Sequence, residues 1–321
     1  MNRRYSLVKK LGSGEYGDVF LANDTLTYKL VALKREKRPE HFEKKEGYNA
    51  TMLREISVLQ ELGSGPYKHP CMDELVDIFQ LRDGSPCIAI EFLCKGSLMT
   101  LLQGEDPTKM NESQTVLKAE HIKNLAYQMF SGLHYLHSNF IIHRDLKPDN
   151  FMFAADGTLK FIDFGMAKKF GEELPLSKNL MALCYRPPEI LFGGTYYGPS
   201  ADMWSMGCIF AELLMKRPLF GGGDIGDQLN KIFTIRGTPD QDPDLKKSIH
   251  ILEKYLHFTP PTKAKEWKDL FPNESDQYLD LLDKCLHLNP NKRISAGEAL
   301  QHPYFTEELP KACQNSELPL K

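Results

Sequence analysis

A glycine-rich run near the start of the chain has the spacing of a loop that contacts phosphates. The sequence reads Gly-Ser-Gly-Glu-Tyr-Gly-Asp-Val from Gly12 to Val19. Glycine has no Cβ, so the backbone of such a loop can lie close to phosphate groups. The same spacing occurs in dinucleotide-binding folds, where it opens a helix. Here it lies between two strand-like stretches, which argues against a dinucleotide site.

A lysine follows this loop at the end of the strand-like run Val31–Lys34. A lysine at a strand end is most often only solvated. Downstream of a glycine loop, Lys34 is better interpreted as a cation for the α- and β-phosphates of a nucleotide. Such a lysine needs a carboxylate to hold it, and Glu55 in the following helical stretch is the candidate. Glutamates are common on helix surfaces, so the pairing depends on the other motifs.

The strongest chemical signal is the run from His143 to Asn150, His-Arg-Asp-Leu-Lys-Pro-Asp-Asn. It fits the catalytic-loop pattern of protein kinases, in which Asp145 is the base and Asn150 a metal ligand. Asp163 follows in an Asp-Phe-Gly sequence and supplies a second metal ligand. Carboxylate and amide oxygens suit Mg²⁺ held on nucleotide phosphates. Phosphoryl transfer needs aligned phosphates, neutralised charge and an oriented hydroxyl. These residues therefore predict transfer of a phosphoryl group from ATP, with Mg²⁺ as the metal ion.

The elements that position these residues begin with an antiparallel sheet that carries one helix. Apolar residues recur at helical spacing across 51–62, and the Gly-Ser-Gly-Pro sequence at Gly63–Pro66 ends that helix. Four strand-like runs surround it. They are Asp18–Ala22, Lys29–Lys34, Asp73–Leu81 and Cys87–Leu93.

After Gly96 the pattern changes to long helices, one of which is apolar almost all round, as a helix at a domain centre would be. The stretch Thr238–Asn273 carries mixed loop and helix signals. We therefore predict an α+β fold with a small β-rich lobe, a connector near Glu91–Cys94, a larger helical lobe and a ligand cleft between them. The predicted helices of the second lobe are His121–His137, Ala201–Lys216 and Asp276–Leu288.

The composition excludes several other classes of protein. With 41% apolar and 26% charged residues, the chain can bury a core and is not generally disordered. Its net charge of −3 gives no broad attraction to nucleic acid or anionic lipid. The seven cysteines show no Cys-x-x-Cys spacing and indicate reduced intracellular thiols. Neither a secretory signal nor an apolar run of about 18 residues is present. We expect a nuclear or cytoplasmic protein without direct nucleic-acid or membrane partners.

In this order the motifs resemble the eukaryotic protein kinase family over roughly Tyr5 to Phe305. The resemblance implies a bilobal fold, with an N-lobe at 1–93 and a C-lobe at 94–321 that together form one kinase domain. Lys147 is typical of the serine/threonine branch, where this lysine contacts the transferred phosphate. The resemblance thus implies a catalytic set of Asp145, Lys147, Lys34 and Glu55.

Within that family the sequence is most similar to the cyclin-dependent kinases. The run Asn49–Ile56 resembles their cyclin-facing helix, and Trp204–Leu214 is typical of the same group. The run Leu191–Gly198 is most similar to the class that activates other cyclin-dependent kinases and phosphorylates the RNA polymerase tail. The resemblance also implies a cyclin partner at helix 51–62 and an ion pair between Glu189 and Arg293.

The resemblance assigns a nucleotide site along the glycine loop and the connector. Glu91 and Leu93 would contact adenine, and Ile90 would guard a back pocket. The ring would be sandwiched by three apolar residues from both lobes. The complete set of nucleotide-binding residues implied is Leu11, Gly12, Ser13, Gly14, Glu15, Tyr16, Gly17, Val19, Ala32, Lys34, Glu91, Leu93 and Met152.

Two regulatory phosphorylation sites are implied by the same resemblance, Ser177 in the activation loop and Tyr16 in the glycine loop. Arg54 and Arg144 would clamp the phosphate on Ser177, because guanidinium groups match phosphate oxygens. Lys168 stands where relatives have the third arginine of this clamp, and its point charge is a poorer match.

Two more departures from the family fall in the activation segment. Ala182 stands where relatives carry a threonine whose hydroxyl bridges the catalytic aspartate and lysine. Losing that hydrogen bond should slow turnover without abolishing it. Cys184 replaces a tryptophan, so the packing of the substrate-binding segment is expected to differ.

The substrates implied are proteins with Ser or Thr followed by Pro, and two alternatives remain open. A catalytically impaired scaffold that binds a cyclin is favoured only by the Ala182 and Lys168 substitutions. A cyclin-independent kinase of the mitogen-activated type would carry Thr-x-Tyr, whereas this loop reads Leu-Ser-Lys-Asn-Leu at Leu176–Leu180. The residues expected around the proline are Leu180, Met181 and Arg186.

Overall fold

The chain forms a five-stranded antiparallel sheet followed by a mainly helical region, so the α+β prediction is confirmed. Within the part of the chain that is described, no helix has the length and apolar character needed to cross a membrane. The computed structural model describes residues 4–13, 17–36, 49–64, 68–82, 84–104, 115–170, 181–194, 198–239 and 262–320.

The sheet has the strand order β1-β2-β3-β5-β4. Pairing of β2 with β3 sets Val19 opposite Lys34, so the strand that follows the glycine loop lies beside the lysine. Pairing of β3 with β5 sets Ala32 opposite Ile90, at the edge of the connector. The strands are β1 (Tyr5–Ser13), β2 (Gly17–Asp24), β3 (Leu30–Glu36), β4 (Leu75–Gln80) and β5 (Pro86–Glu91).

Helix α1 spans Ala50–Ser64 and encloses the predicted 51–62. Its apolar stripe includes Met52, Leu59 and Leu62, which are buried in the main core, as its helical spacing predicts. Leu53 lies on the opposite face and is 46% exposed. The helix packs against the turn at Phe164–Met166, so it links the sheet to the Asp-Phe-Gly sequence.

The helical region is built around α5 (Pro199–Met215), a helix that is buried along most of its length. Every residue of its stretch 201–213 is buried, which explains its nearly continuous apolar sequence. The helices are α2 (Leu98–Gln103), α3 (Ala119–Ser138), α4 (Pro188–Leu191), α5 (Pro199–Met215), α6 (Ile225–Arg236), α7 (Trp267–Leu270), α8 (Asp276–Cys285), α9 (Ala296–Leu300) and α10 (Pro303–Thr306).

Helix boundaries differ by a few residues from the sequence prediction. α5 ends at Met215 because Lys216 adopts a left-handed conformation with φ of 57°. α8 ends at Cys285, three residues before the predicted end at Leu288. Much of the ambiguous stretch 238–273 lies outside the described residues, and its described part contains α7.

Four very short strands hold the chemically important loops. β6 (Ile141–Ile142) pairs with β9 (Lys168–Lys169), and β7 (Phe151–Phe153) pairs with β8 (Leu159–Phe161). The run from His143 to Asn150 is therefore anchored at both ends. Asp163 lies between β8 and β9 and faces that run.

Candidate active site

A cavity of about 630 Å³ lies between the sheet and the helical region. Most of the residues implied as a nucleotide and catalytic site meet there. Sequence reasoning missed four lining residues, Asp73, Phe92, Asp149 and Ile162. The expected residues found in the lining are Leu11, Gly12, Gly17, Val19, Ala32, Lys34, Glu55, Ile90, Glu91, Leu93, Asp145, Lys147, Asn150, Met152 and Asp163.

Several expected residues are not placed in the cavity. Gly14, Glu15, Tyr16 and Ser177 lie outside the described residues. Ser13 is described but does not line the cavity, because its hydroxyl donates to Asp18 Oδ1 at 2.7 Å.

Lys34 is held by two carboxylates, and the predicted pairing with Glu55 is confirmed. Its Nζ lies 2.7 and 2.8 Å from the Glu55 oxygens and 3.1 Å from Asp163 Oδ1. Burial alone would lower the pKa of Lys34, but the charges of Glu55 and Asp163 outweigh burial and raise it. Lys34 is thus a permanent cation at the wall of the cavity.

The two oxygens of Asp145 have different surroundings. Oδ2 accepts hydrogen bonds from Lys147 Nζ at 2.8 Å and from Asn150 Nδ2 at 3.0 Å. Oδ1 accepts none from the described residues. Burial would lower the pKa of Lys147, yet the hydrogen bond to Asp145 raises it, so this lysine stays charged. One carboxylate oxygen is therefore fixed, and the other is available to a ligand.

Asn150 and Asp163 fit a magnesium ion in donor type and orientation. Asn150 Nδ2 donates to both Asp145 O and Asp145 Oδ2, at 2.7 and 3.0 Å, which leaves its amide oxygen as the ligand atom. Burial would raise the pKa of Asp163, but Lys34 outweighs it and lowers the pKa, so the carboxylate is ionised. An amide oxygen and a carboxylate are the hard donors that Mg²⁺ takes.

The catalytic run is fixed to the buried helix α5 through Asp202. Its oxygens accept the N–H of His143 at 2.8 Å and of Arg144 at 2.9 Å, and one also contacts His137 Nε2 at 3.1 Å. Burial would raise the pKa of Asp202, but these hydrogen bonds, with that of His137 the largest, lower it. Arg144 has φ of 66°, a strained backbone that the two hydrogen bonds beside it stabilise.

Leu93 presents unpaired backbone groups at the connector. The side chain is buried, and neither its N–H nor its C=O makes a hydrogen bond with the described residues. Buried backbone groups are almost always paired, so such a donor and acceptor indicate a ligand position. Val19 and Ala32 of the sheet and Met152 of β7 line the same cavity.

The two arginines of the expected phosphate clamp converge on neighbouring carbonyls. Arg54 Nη1 donates to Gly165 O and Arg144 Nε to Met166 O, each at 2.7 Å. Lys168 is buried in β9, opposite Ile142. The geometry places the three near one another around the Asp-Phe-Gly turn. Since Ser177 lies outside the described residues, phosphate binding there stays a prediction.

Contacts of Glu189 and Tyr185 attach the activation segment to the helical region. Arg293 Nη1 and Nη2 each lie 2.6 Å from a Glu189 oxygen, which confirms the expected ion pair. Tyr185 donates its hydroxyl to Glu212 Oε2 in α5 at 2.7 Å. Cys184, the residue before Tyr185, is only partly buried, and burial raises the pKa of its thiol.

Comparisons with known proteins agree with this geometry. The family model for the protein kinase domain matches residues 5–305. The serine/threonine-protein kinase crk1 of Schizosaccharomyces pombe is 38% identical over 320 residues, covering 99% of this chain and 89% of that protein. Cyclin-dependent kinase 7 of Dictyostelium discoideum is 35% identical over 319 residues, covering 99% of this chain and 83% of that protein. The structure of the CAK complex from Chaetomium thermophilum bound to ATP-γ-S matches with a TM-score of 0.85 and 31% identity, covering 99% of this chain and 96% of that one.

Proposed function

The chain belongs to the protein kinase family, among the cyclin-dependent serine/threonine kinases, and we propose that it phosphorylates Ser or Thr residues followed by Pro. Use of ATP follows from the family. The observation that carries the proposal is the unpaired Oδ1 of Asp145, which shares one cavity with Lys34 and Asp163.

We assign the following roles to the residues of the cavity. Lys34, fixed by Glu55, binds the α- and β-phosphates, and the backbone of Leu93 binds the base. Asp145 Oδ1 accepts the proton of the substrate hydroxyl and orients that oxygen towards the γ-phosphorus. Lys147, bonded to Asp145 Oδ2, donates to the transferred phosphate. Most of the catalysis thus comes from positioning and charge.

The amide oxygen of Asn150 and the carboxylate of Asp163 would hold the Mg²⁺ ion that the reaction uses. When bound, the ion neutralises charge on the phosphates. The chain's own part is to keep these two donors in place. Asn150 does so through its bonds to Asp145, and Asp163 through its contact with Lys34.

The preference for proline is supported by the backbone of Met181. This residue has φ of 72°, and its carbonyl accepts a hydrogen bond from Arg186 Nη2 at 2.8 Å. A carbonyl used in this way is a poor acceptor for a substrate N–H placed against it. Proline has no N–H and loses nothing there, whereas other residues would leave a donor unpaired.

The proposed regulatory partner is a cyclin bound at α1. The Dictyostelium relative is named as a cyclin-dependent kinase, and the matched structure is of a complex. The exposed Leu53 on α1 gives such a partner an apolar contact. Glu55, on the buried face of the helix, is bonded to Lys34, and Arg54 reaches the Asp-Phe-Gly turn.

The test is transfer of radiolabelled phosphate from ATP to matched peptides by the cyclin-bound chain. We expect Asp145→Asn to lower kcat by about a thousandfold, because general-base catalysis contributes about 10²–10⁴. The wild type should prefer a Ser-Pro peptide to a Ser-Ala peptide by about tenfold in kcat/KM.

Equal rates for the wild type and Asp145→Asn would instead support the catalytically impaired scaffold. Full activity of the purified chain without any cyclin would support the mitogen-activated type of kinase.

A further inference from the structure

Asp73 is a buried carboxyl group in the cavity that the proposed reaction does not use. It lies one residue before Glu74, whose carbonyl accepts the N–H of Glu91 at 2.9 Å, so it is next to the connector. Asp73 is 6% exposed and lines the same cavity as Ile90 and Leu93. Few aspartates are buried so deeply without an ion pair.

The other carboxylates nearby are paired, and Asp73 is not. Glu55 is paired with Lys34, and Glu91 Oε2 lies 2.6 Å from Lys160 Nζ. Asp73 Oδ1 accepts the N–H of Glu74 at 2.8 Å. Among the described residues, Asp73 has no ion-pair partner, and its Oδ2 accepts no hydrogen bond.

The charges that act on Asp73 disfavour its ionised form. Burial is the largest cause, and together with Glu91 and Glu55 it raises the pKa of Asp73 well above the ordinary value. The N–H of Glu74 and the charge of Lys160 act in the opposite direction but do not compensate. A ligand that brings a hydrogen-bond donor to Oδ2 favours the ionised form of Asp73, in which both oxygens are acceptors, so such a ligand binds with loss of the carboxyl proton.

We propose that Asp73 is a specificity-determining residue whose free oxygen accepts a hydrogen bond from the amino group of the bound adenine. The inference rests on the proposed binding of ATP with its base at Glu91 and Leu93. The 6-amino group of adenine carries two hydrogens, and a single contact at the connector uses one of them. The second then points deeper into the cavity, where Asp73 Oδ2 is the unpaired acceptor. A 6-oxo purine such as inosine presents an acceptor there.

The test compares the affinities of ADP and inosine diphosphate, with Mg²⁺, for the full chain by titration calorimetry. In Asp73→Asn the side-chain oxygen can keep the hydrogen bond to Glu74 N–H, so an amide donor replaces the free acceptor. We expect this change to reduce the preference for ADP over inosine diphosphate by about tenfold, the value of one hydrogen bond. The matched control is Glu74→Gln, which removes an exposed charge one residue away, and it should leave the preference unchanged.

A second variant separates ligand recognition from a structural role. Asp73→Val removes both carboxylate oxygens, so it should weaken the preference for ADP, while the melting temperature of the nucleotide-free chain measures how much the hydrogen bond to Glu74 N–H contributes to stability. An unchanged preference in both variants, or a greater one, would overturn the inference. So would a lower melting temperature in Asp73→Val combined with an unchanged preference. If neither nucleotide binds the wild type, the proposed function itself fails.

Discussion

At the scale of single residues, the fixed oxygen of Asp145 accepts hydrogen bonds from two donors among the residues that the structure describes. Lys147 and Asn150 both reach Oδ2. The threonine that the family resemblance implies at position 182 would add a hydroxyl to the bridge between Asp145 and Lys147. Ala182 stands there with φ of −60° and ψ of 135°, an extended conformation that suits a β-branched side chain.

Restoring this hydroxyl should therefore increase turnover. We expect Ala182→Thr to raise kcat of the cyclin-bound chain severalfold, because it adds one positioning hydrogen bond to the catalytic aspartate and lysine. The matched control is Ala182→Val, which has the shape of threonine without its hydroxyl. The measurement is steady-state phosphate transfer to a Ser-Pro peptide. Equal gains in both variants would show that packing and not the hydroxyl limits the rate.

Residues inside a dense motif could be placed from the sequence, whereas isolated ones could not. Lys34, Asn150 and Asp163 meet in the cavity because several motifs in a fixed order imply one arrangement. Asp73 stands alone at the edge of a strand-like run, and no local pattern indicates that its side chain lines the cavity. Ser13 was expected at the nucleotide, but its hydroxyl donates a hydrogen bond to the Asp18 carboxylate instead.

At the scale of elements, the buried helix α5 carries a carboxyl group that anchors the activation segment. Glu212 Oε2 accepts the hydroxyl of Tyr185, while Oε1 has no hydrogen-bond partner among the described residues. Burial is the main cause that raises the pKa of Glu212 to about 7. Near neutral pH this contact therefore joins a half-ionised carboxyl group to a phenol.

The folded chain should lose stability through this group as the pH rises. Its folded pKa is above the ordinary value of 4.5, so its contribution is complete below pH 4.5 and declines up to about pH 7. Against Glu212→Gln, which does not titrate, the wild type should lose about 3 kcal/mol in free energy of unfolding between pH 4.5 and 8. Urea denaturation at several pH values measures this difference.

A contrasting variant tests the same contact from its other side. Tyr185→Phe removes the hydrogen bond that lowers the pKa of Glu212, so the loss of stability should become larger and extend to higher pH. Parallel pH profiles for the wild type and both variants would contradict this assignment of the titrating group.

Elements with long periodic patterns were predicted, and those made by distant pairing were not. The apolar stripe of α3 and the continuous burial of α5 follow from local sequence. The two-residue strands β6 and β9 have no periodicity of their own, since they exist only where Ile141 and Ile142 meet Lys169 and Lys168. The end of α5 depends on the backbone conformation of a single lysine.

At the scale of the whole molecule, α1 connects the proposed cyclin surface to the nucleotide cavity. Its outer face carries Leu53, and its inner face carries Glu55, bonded to Lys34. Arg54 Nη1 bonds to Gly165 O, two residues after Asp163. A partner that fixes the position of α1 would thus fix a phosphate-binding cation and a metal ligand together.

Cyclin and nucleotide should therefore bind cooperatively, and each should increase the affinity of the chain for the other by the same factor. We expect the cyclin that co-purifies with the chain to tighten the binding of ADP with Mg²⁺ by about tenfold, and ADP to tighten cyclin binding equally. Calorimetry with and without the other ligand measures both factors.

Leu53→Asp should abolish cyclin binding and leave ADP binding at its basal value. Arg54→Met should retain cyclin binding but bring both factors towards one, because it removes the bond between α1 and the Asp-Phe-Gly turn. A coupling factor of one in the wild type would exclude α1 as the link, and full coupling in Arg54→Met would move the link to Glu55 and Lys34.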